Sequence, residues 1–213
     1  MTAPAAVVFD HDGVLVDSEP IALDVWCRIL DERRVPYERS EIEAFIGLSD
    51  PDAHARIADR PGMPGLEEFI DEFEQRRDAR FERELRPFPD AWEAVRHLAG
   101  VGVPLGVATN ATRDLLRLSL EITGLGRYFE ATAARTDVPN GKPAPDVYLE
   151  AARRLGVSPR RCLAIEDSAT GAASAAAAGM RVVTVARRGV GPAGFASIPS
   201  IDADVILTWM GRE

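Results

Sequence analysis

Val7-Val8-Phe9-Asp10-His11-Asp12-Gly13-Val14-Leu15-Val16-Asp17-Ser18-Glu19 is an apolar strand that runs into two carboxylates one residue apart. Side chains alternate along an extended chain, so Asp10 and Asp12 point the same way, and Gly13 then permits a sharp turn. Two like charges held together are costly unless a cation sits between them or one carboxyl keeps its proton. Taken alone, Asp-x-Asp-Gly is also ordinary turn chemistry after a strand, so its meaning depends on what the rest of the chain brings to it. By the same alternation His11 points away from both aspartates, towards the packed side of the sheet, as a structural histidine.

Three later segments share that character. Val103-Pro104-Leu105-Gly106-Val107-Ala108-Thr109-Asn110 is a second short apolar strand, ending in a hydroxyl and in backbone amides just ahead of a helical pattern, which suits an anion. Pro139-Asn140-Gly141-Lys142-Pro143 fixes a lysine in a stiff loop before another helix. Cys162-Leu163-Ala164-Ile165-Glu166-Asp167-Ser168 is a third buried-looking strand that ends in two acids, with Ser168 placed to cap an alanine-rich helix. In an open parallel sheet, ligands bind beyond the carboxyl ends of the strands, and all four segments converge there.

Between them the chain changes texture. From 17 to 86 glutamate and arginine are abundant and strand patterns are absent. Ile21, Val25, Ile29 and Leu30 mark one helix, 44–48 a shorter piece, and Leu66, Ile70, Phe73, Phe81 and Leu85 a long helix. After Pro87 the spacing predicts helices over 90–99, 112–123, 144–155 and 168–178. Strands are predicted over 103–108, 129–133, 161–166, 181–186 and 204–207, with a Gly/Pro-rich loop over 189–199. This alternation predicts an α/β fold: a doubly wound, mostly parallel, Rossmann-like sheet with a small α-helical cap inserted after the first strand. The expected division is a core of 1–16 and 87–213 and a cap of 17–86, with cap opening and closing about the two connections.

The chain of 213 residues, 46% hydrophobic, is long enough to bury a proper core. Its formal charge of −9 disfavours nucleic acid or an anionic membrane as the main partner. Cys27 and Cys162 are the only cysteines and suggest neither a disulfide framework nor a zinc site. No basic leader followed by an apolar stretch is visible, and the expected location is cytoplasmic.

The order Asp-x-Asp, Thr, Lys, Glu-Asp resembles the haloacid dehalogenase superfamily at all four of its motifs, and the helical insert is similar to that of its β-phosphoglucomutase-like branch. The resemblance implies that Asp10 attacks phosphorus and becomes a transient aspartyl-phosphate, with Asp12 as general acid and base. It implies Mg2+ held by Asp10, the Asp12 backbone carbonyl and Asp167, with Glu166 direct or through water. Lys142, the Thr109 hydroxyl and the Asn110 amide then hold the transferring phosphoryl group. The cap segment Gly47-Leu48-Ser49-Asp50 falls at the family's specificity loop, which makes Gly47 and Ser49 candidate substrate contacts. Arg77 lies on the apolar stripe of the long cap helix with Phe73 and Phe81, near where mutases carry a cap lysine. A snorkelling arginine competes with a contact to the leaving group there.

Two departures from the mutases stand out: Ala22 occupies the place of their histidine, and Asp50 that of the arginine gripping a distal phosphate. Both favour a phosphatase of small phosphorylated metabolites (a sugar phosphate, a sugar acid phosphate or phosphoglycolate) over a phosphomutase. Dehalogenation fits less well, because it needs neither Asp12 nor a metal. Phosphonate cleavage lacks its cap lysine, since 17–86 contains none. A silent binding module of the same fold is the non-enzymatic alternative. The expected assembly is a monomer or homodimer.

Overall fold

The computed structural model describes residues 3–45, 48, 50–187 and 189–211. Six strands form one all-parallel sheet: β1 (Ala6–Phe9), β2 (Leu105–Ala108), β3 (Ala131–Ala133), β4 (Cys162–Glu166), β5 (Arg181–Val185) and β6 (Ala196–Ile198), in the order β3-β2-β1-β4-β5-β6. β1, β2 and β4 are buried along their whole length. Continuous apolar runs are what a parallel sheet covered on both faces requires. Each fully buried Val or Phe of β1 contributes roughly 1.5–3 kcal/mol of transfer free energy.

The helices are α1 (Glu19–Glu32), α2 (Arg39–Glu43), α3 (Asp50–Ala55), α4 (Leu66–Glu84), α5 (Pro89–Gly100), α6 (Arg113–Thr123), α7 (Asp146–Leu155), α8 (Ala169–Ala177) and α9 (Ala203–Trp209). One core cluster joins β1, β2 and β4 to α7 and α8. In α8 the small side chains of Ala172 and Ala175 are fully buried, so this alanine-rich stretch is a close-packed helix, with the Ser168 hydroxyl accepting from Gly171 N at 3.0 Å as its cap.

The chain divides into two compact units, Ser18–Leu85 and the remainder. The helical unit has its own core, in which Trp26 packs against Phe45, Phe69 and Phe73. In the sheet-bearing unit Val16 pairs with Pro87 and Phe88 N donates to Leu15 O, so the outgoing and returning strands of chain lie side by side.

Three local expectations are corrected. Residues 204–207 are helical rather than extended: Asp202 accepts from Asp204 N and Val205 N, nucleating α9, and Ile206 is buried while Val205 is exposed. A short apolar run carries no periodicity of its own, and the cap decides. The region read as loop contains the edge strand β6, whose only buried residue is Ile198. In the helical unit the short piece expected over 44–48 is replaced by two short helices, α2 before it, with Phe45 in the turn that follows, and α3 after it. Among the described residues no helix is long and apolar enough to cross a membrane.

Candidate active site

β1 and β4 are neighbours at the point where the strand order reverses, and their register pairs Phe9 with Ile165. The next residues, Asp10 and Glu166, therefore emerge side by side, and Asp10 N donates to Ile165 O at 2.9 Å. Lys142 reaches between them from the loop before α7. Its Nζ donates to Asp10 Oδ1 at 2.5 Å and to Glu166 Oε1 at 2.7 Å, with the side chain only 5% exposed. It is also the only lysine in the chain, a signal already present in the sequence.

Glu166 is held from every side. The buried Tyr148 hydroxyl donates to Oε1 at 2.7 Å, while Oε2 accepts from Asp167 N at 3.1 Å, Ser168 Oγ at 3.2 Å and Ser168 N at 3.4 Å. The Tyr148 ring also lies beneath the Lys142 ammonium, 5.0 Å from ring centre to nitrogen. Sequence reasoning missed Tyr148; the available signal was a phenol on an apolar helix face, which needs a buried partner.

Two carboxylates thus share one ammonium in a buried space. Burial, and then the Glu166 charge, raise the Asp10 pKa to about 7 against the pull of Lys142. Burial works against a charged Lys142, but Asp10 and Glu166 outweigh it and hold its pKa above the ordinary lysine value. The excess negative charge is what a hard cation relieves. Asp10, Glu166 and Asp167 each offer an oxygen, all within 4.8 Å of one another. Gly13 lets Asp167 join them, because a Cβ there would stand 2.0 Å from Asp167 Oδ2, and its φ of +74° is in the glycine region. The donor set is all oxygen and fits magnesium.

Thr109 and Asn110 follow directly after β2, which neighbours β1 in the sheet. Thr109 is buried, its N donates to Ala133 O and its hydroxyl accepts from Ala111 N at 3.0 Å, so those two amides are already used. Asn110 ties its loop to that of the lysine: Lys142 N donates to its Oδ1 at 2.8 Å and its Nδ2 donates to Lys142 O at 3.3 Å.

His11 departs from the expectation that it faces away from both aspartates. The chain is extended only to Phe9. Leu15 N and Val16 N both fold back onto His11 O, so strict alternation stops before Asp12. His11 Nε2 lies 2.6 Å from Ser119 Oγ and Nδ1 lies 3.2 Å from Asp12 Oδ2. Burial disfavours a charged ring, yet Asp12 outweighs it and shifts the His11 pKa upward.

Behind the turn, Arg187 lies 3.9 Å over the Phe88 ring and donates to Gly13 O, Val14 O and Asp90 Oδ2. In the helical unit Arg77 is buried, its Nε donating to Asp78 Oδ1 at 3.0 Å and its guanidinium stacked near Phe73 and Phe81. Gly47 and Ser49 lie outside the described residues.

Residues 4–179 match the family described as haloacid dehalogenase-like hydrolase. The chain belongs to that family. Relatives within and around it include Hexitol phosphatase B of Escherichia coli (strain K12), 35% identical over 84% of this chain and 82% of that protein. A bifunctional riboflavin kinase/FMN phosphatase of Arabidopsis thaliana is 30% identical over 85% of this chain, which spans only 48% of that protein. Among solved structures, a HAD family hydrolase from Deinococcus radiodurans R1 with bound phosphate and sodium is 32% identical, with a TM-score of 0.71 over 100% of this chain and 90% of that one.

Proposed function

We propose that this haloacid dehalogenase-like hydrolase cleaves small phosphate monoesters, most directly sugar phosphates, through an aspartyl-phosphate on Asp10. The observation that carries the reading is the buried triad in which Lys142 bridges Asp10 and Glu166 at the switch point of the sheet. Hexitol phosphatase B, 35% identical over 84% of this chain and 82% of its own, supports the substrate class.

In the first step an Asp10 oxygen bonds to phosphorus as the bond to the leaving oxygen breaks, and Asp12 gives that oxygen a proton. Asp12 then takes a proton from water, whose oxygen attacks phosphorus and frees phosphate and Asp10. Lys142 keeps Asp10 oriented and offsets charge on the transferring group, with Thr109 and Asn110 at its equatorial oxygens. Asp10 and Asp167, the Asp12 backbone carbonyl and Glu166 (direct or through water) are the proposed holders of Mg2+. When bound, the ion offsets repulsion between these carboxylates and the substrate phosphate.

The unit Ser18–Leu85 is proposed to act as the cap that selects the substrate, with Gly47, Ser49 and Arg77 as its contacts. Ala22 and Asp50, in place of a proton-steering histidine and a phosphate-gripping arginine, favour release of product over phosphomutase chemistry. A cytoplasmic location and a monomer or homodimer complete the proposal.

The deciding assay is phosphate release from a panel of sugar phosphates, phosphoglycolate and an aryl phosphate, with and without magnesium, comparing wild type with Asp10→Asn. Magnesium-dependent release that is lost in the variant is expected. Release that survives in Asp10→Asn would overturn the nucleophile, and turnover only with a sugar bisphosphate would establish the mutase.

A further inference from the structure

One buried titratable side chain has no part in this chemistry. His11 is fully buried between Asp10 and Asp12, and Ser119 on α6 anchors its Nε2. Nδ1 faces the Asp12 carboxylate at 3.2 Å but off the line of a good hydrogen bond. Among the described residues it is the only buried side-chain nitrogen or oxygen without an aligned partner. Leaving a buried donor unsatisfied is costly, and an apolar residue in the same space avoids that cost. The Asp12 carboxylate is 38% exposed while the ring behind it is sealed, so the imidazole backs the side of Asp12 turned away from solvent.

We propose that His11 is a positioning residue for Asp12, with the Ser119 hydroxyl fixing the ring and Nδ1–H restraining the carboxylate on its inner side. The proposal rests on the reading of Asp12 as proton donor and acceptor. It does not depend on the charge state of the ring. Nδ1 carries a proton both in the neutral tautomer, where Ser119 donates to Nε2, and in the imidazolium, where Ser119 accepts. Restraint matters because a general acid acts only within hydrogen-bond reach of the leaving oxygen, and a displacement of about 1 Å can cost about 100-fold.

The readout is the dependence on leaving group. An alkyl phosphate such as a sugar phosphate needs its departing oxygen protonated, whereas p-nitrophenolate leaves without help. kcat/KM, which reports the steps through phosphoryl transfer, therefore separates a misplaced acid from a damaged fold. His11→Leu is expected to lower kcat/KM for the sugar phosphate about 10-fold or more and to change that for p-nitrophenyl phosphate less than about 3-fold. His11→Asn places an amide nitrogen near the position of Nδ1 and is expected to recover most of the loss. Ser119→Ala, which keeps the ring but frees it, shifts the ratio in the same direction and carries the test if His11→Leu does not fold.

Equal losses on both substrates in these variants, or an Asn variant as impaired as the Leu variant, overturn the proposal. Asp12→Asn separates the two levels. A selective loss there without one in the His11 and Ser119 variants overturns the positioning role alone, whereas no selectivity in Asp12→Asn overturns the reading of Asp12 and the proposal with it.

Discussion

The Glu166 carboxylate fills the space that a side chain at Gly171 would need: a Cβ there would stand 1.8 Å from Oε1 and 2.3 Å from Oε2. Gly171 lies in α8, where alanine is the better helix former, so its presence is a matter of room and not of backbone freedom. Gly171→Ala is expected to displace Glu166, to destabilise the protein by about 1–3 kcal/mol through overpacking, and to weaken magnesium binding. Urea unfolding and calorimetric titration with Mg2+ check both; a variant more stable than wild type, as helix propensity alone predicts, would refute the steric account.

Among the described residues Lys142 is the one cation paired with both Asp10 and Glu166. Removing one member of a buried ionic group is expected to cost about 3–5 kcal/mol in Lys142→Ala. With Lys142 in its proposed role at the phosphoryl group, the same variant is expected to lose about 100-fold or more in kcat. Because the chain has no other lysine, nitrogen-labelled lysine gives one side-chain ammonium signal. That signal is expected to show the group still protonated beyond pH 10.5, the ordinary lysine midpoint.

Asp10 makes metal-free stability depend on pH. An acid whose pKa is about 7 in the fold and 3.8 in the unfolded chain binds more proton when folded between those values. Its contribution to stability therefore falls as pH rises from about 4 to about 7 and is flat above. Asp10→Asn removes this penalty. In EDTA the variant is expected to gain on wild type by roughly 2 kcal/mol between pH 4.5 and 8, a scale discounted for water entry and relaxation. Parallel stability curves for the two proteins would show that the shift is absent.

Arg187 holds the turn that follows Asp10 by two backbone carbonyls, Gly13 O and Val14 O, while Asp90 Oδ2 both pairs with Arg187 and accepts from Ile201 N. Arg187→Ala is expected to cost about 2–4 kcal/mol, from lost charge-assisted hydrogen bonds and packing on Phe88. Arg187→Lys keeps the charge but not the planar fork, and should recover less than half of that in thermal unfolding.

Arg77 gives the cap proposal its test. Arg77→Met keeps the packing of the stem on Phe73 and Phe81 while removing the guanidinium. A rise in KM of about 10-fold for sugar phosphates with kcat nearly unchanged is expected if the group contributes uniform binding. Unchanged Michaelis constants across the panel leave Arg77 as a structural arginine.

Much of this was legible from local sequence. The apolar runs of β1, β2 and β4 read as buried strands, and each ends in the polar residues that gather at the switch point. α1, α4, α5, α6 and α7 followed from periodicity, because each buries one face, and α8 from its Ser168 cap and its run of helix formers. α9 and β6 did not follow. Val205-Ile206-Leu207 is too short to show a period, and β6 is a three-residue edge held by its neighbour. His11 is buried on the packed side as expected, held by Ser119, but its approach to Asp12 was missed because alternation was extended beyond the last residue that is truly extended.

The sequence by itself determined which chemistry the chain can carry: two carboxylates after one strand, two acids after another, one lysine in a stiff loop, and a helical insert between the first two strands. Only the tertiary structure decided which groups answer one another. Lys142 meets Asp10 across 132 positions and His11 meets Ser119 across 108. Tyr148 closes on Glu166 and Arg187 on Gly13 in the same way. Such pairings follow from strand order and register, which bring distant segments to one edge of the sheet, and local spacing carries no record of them.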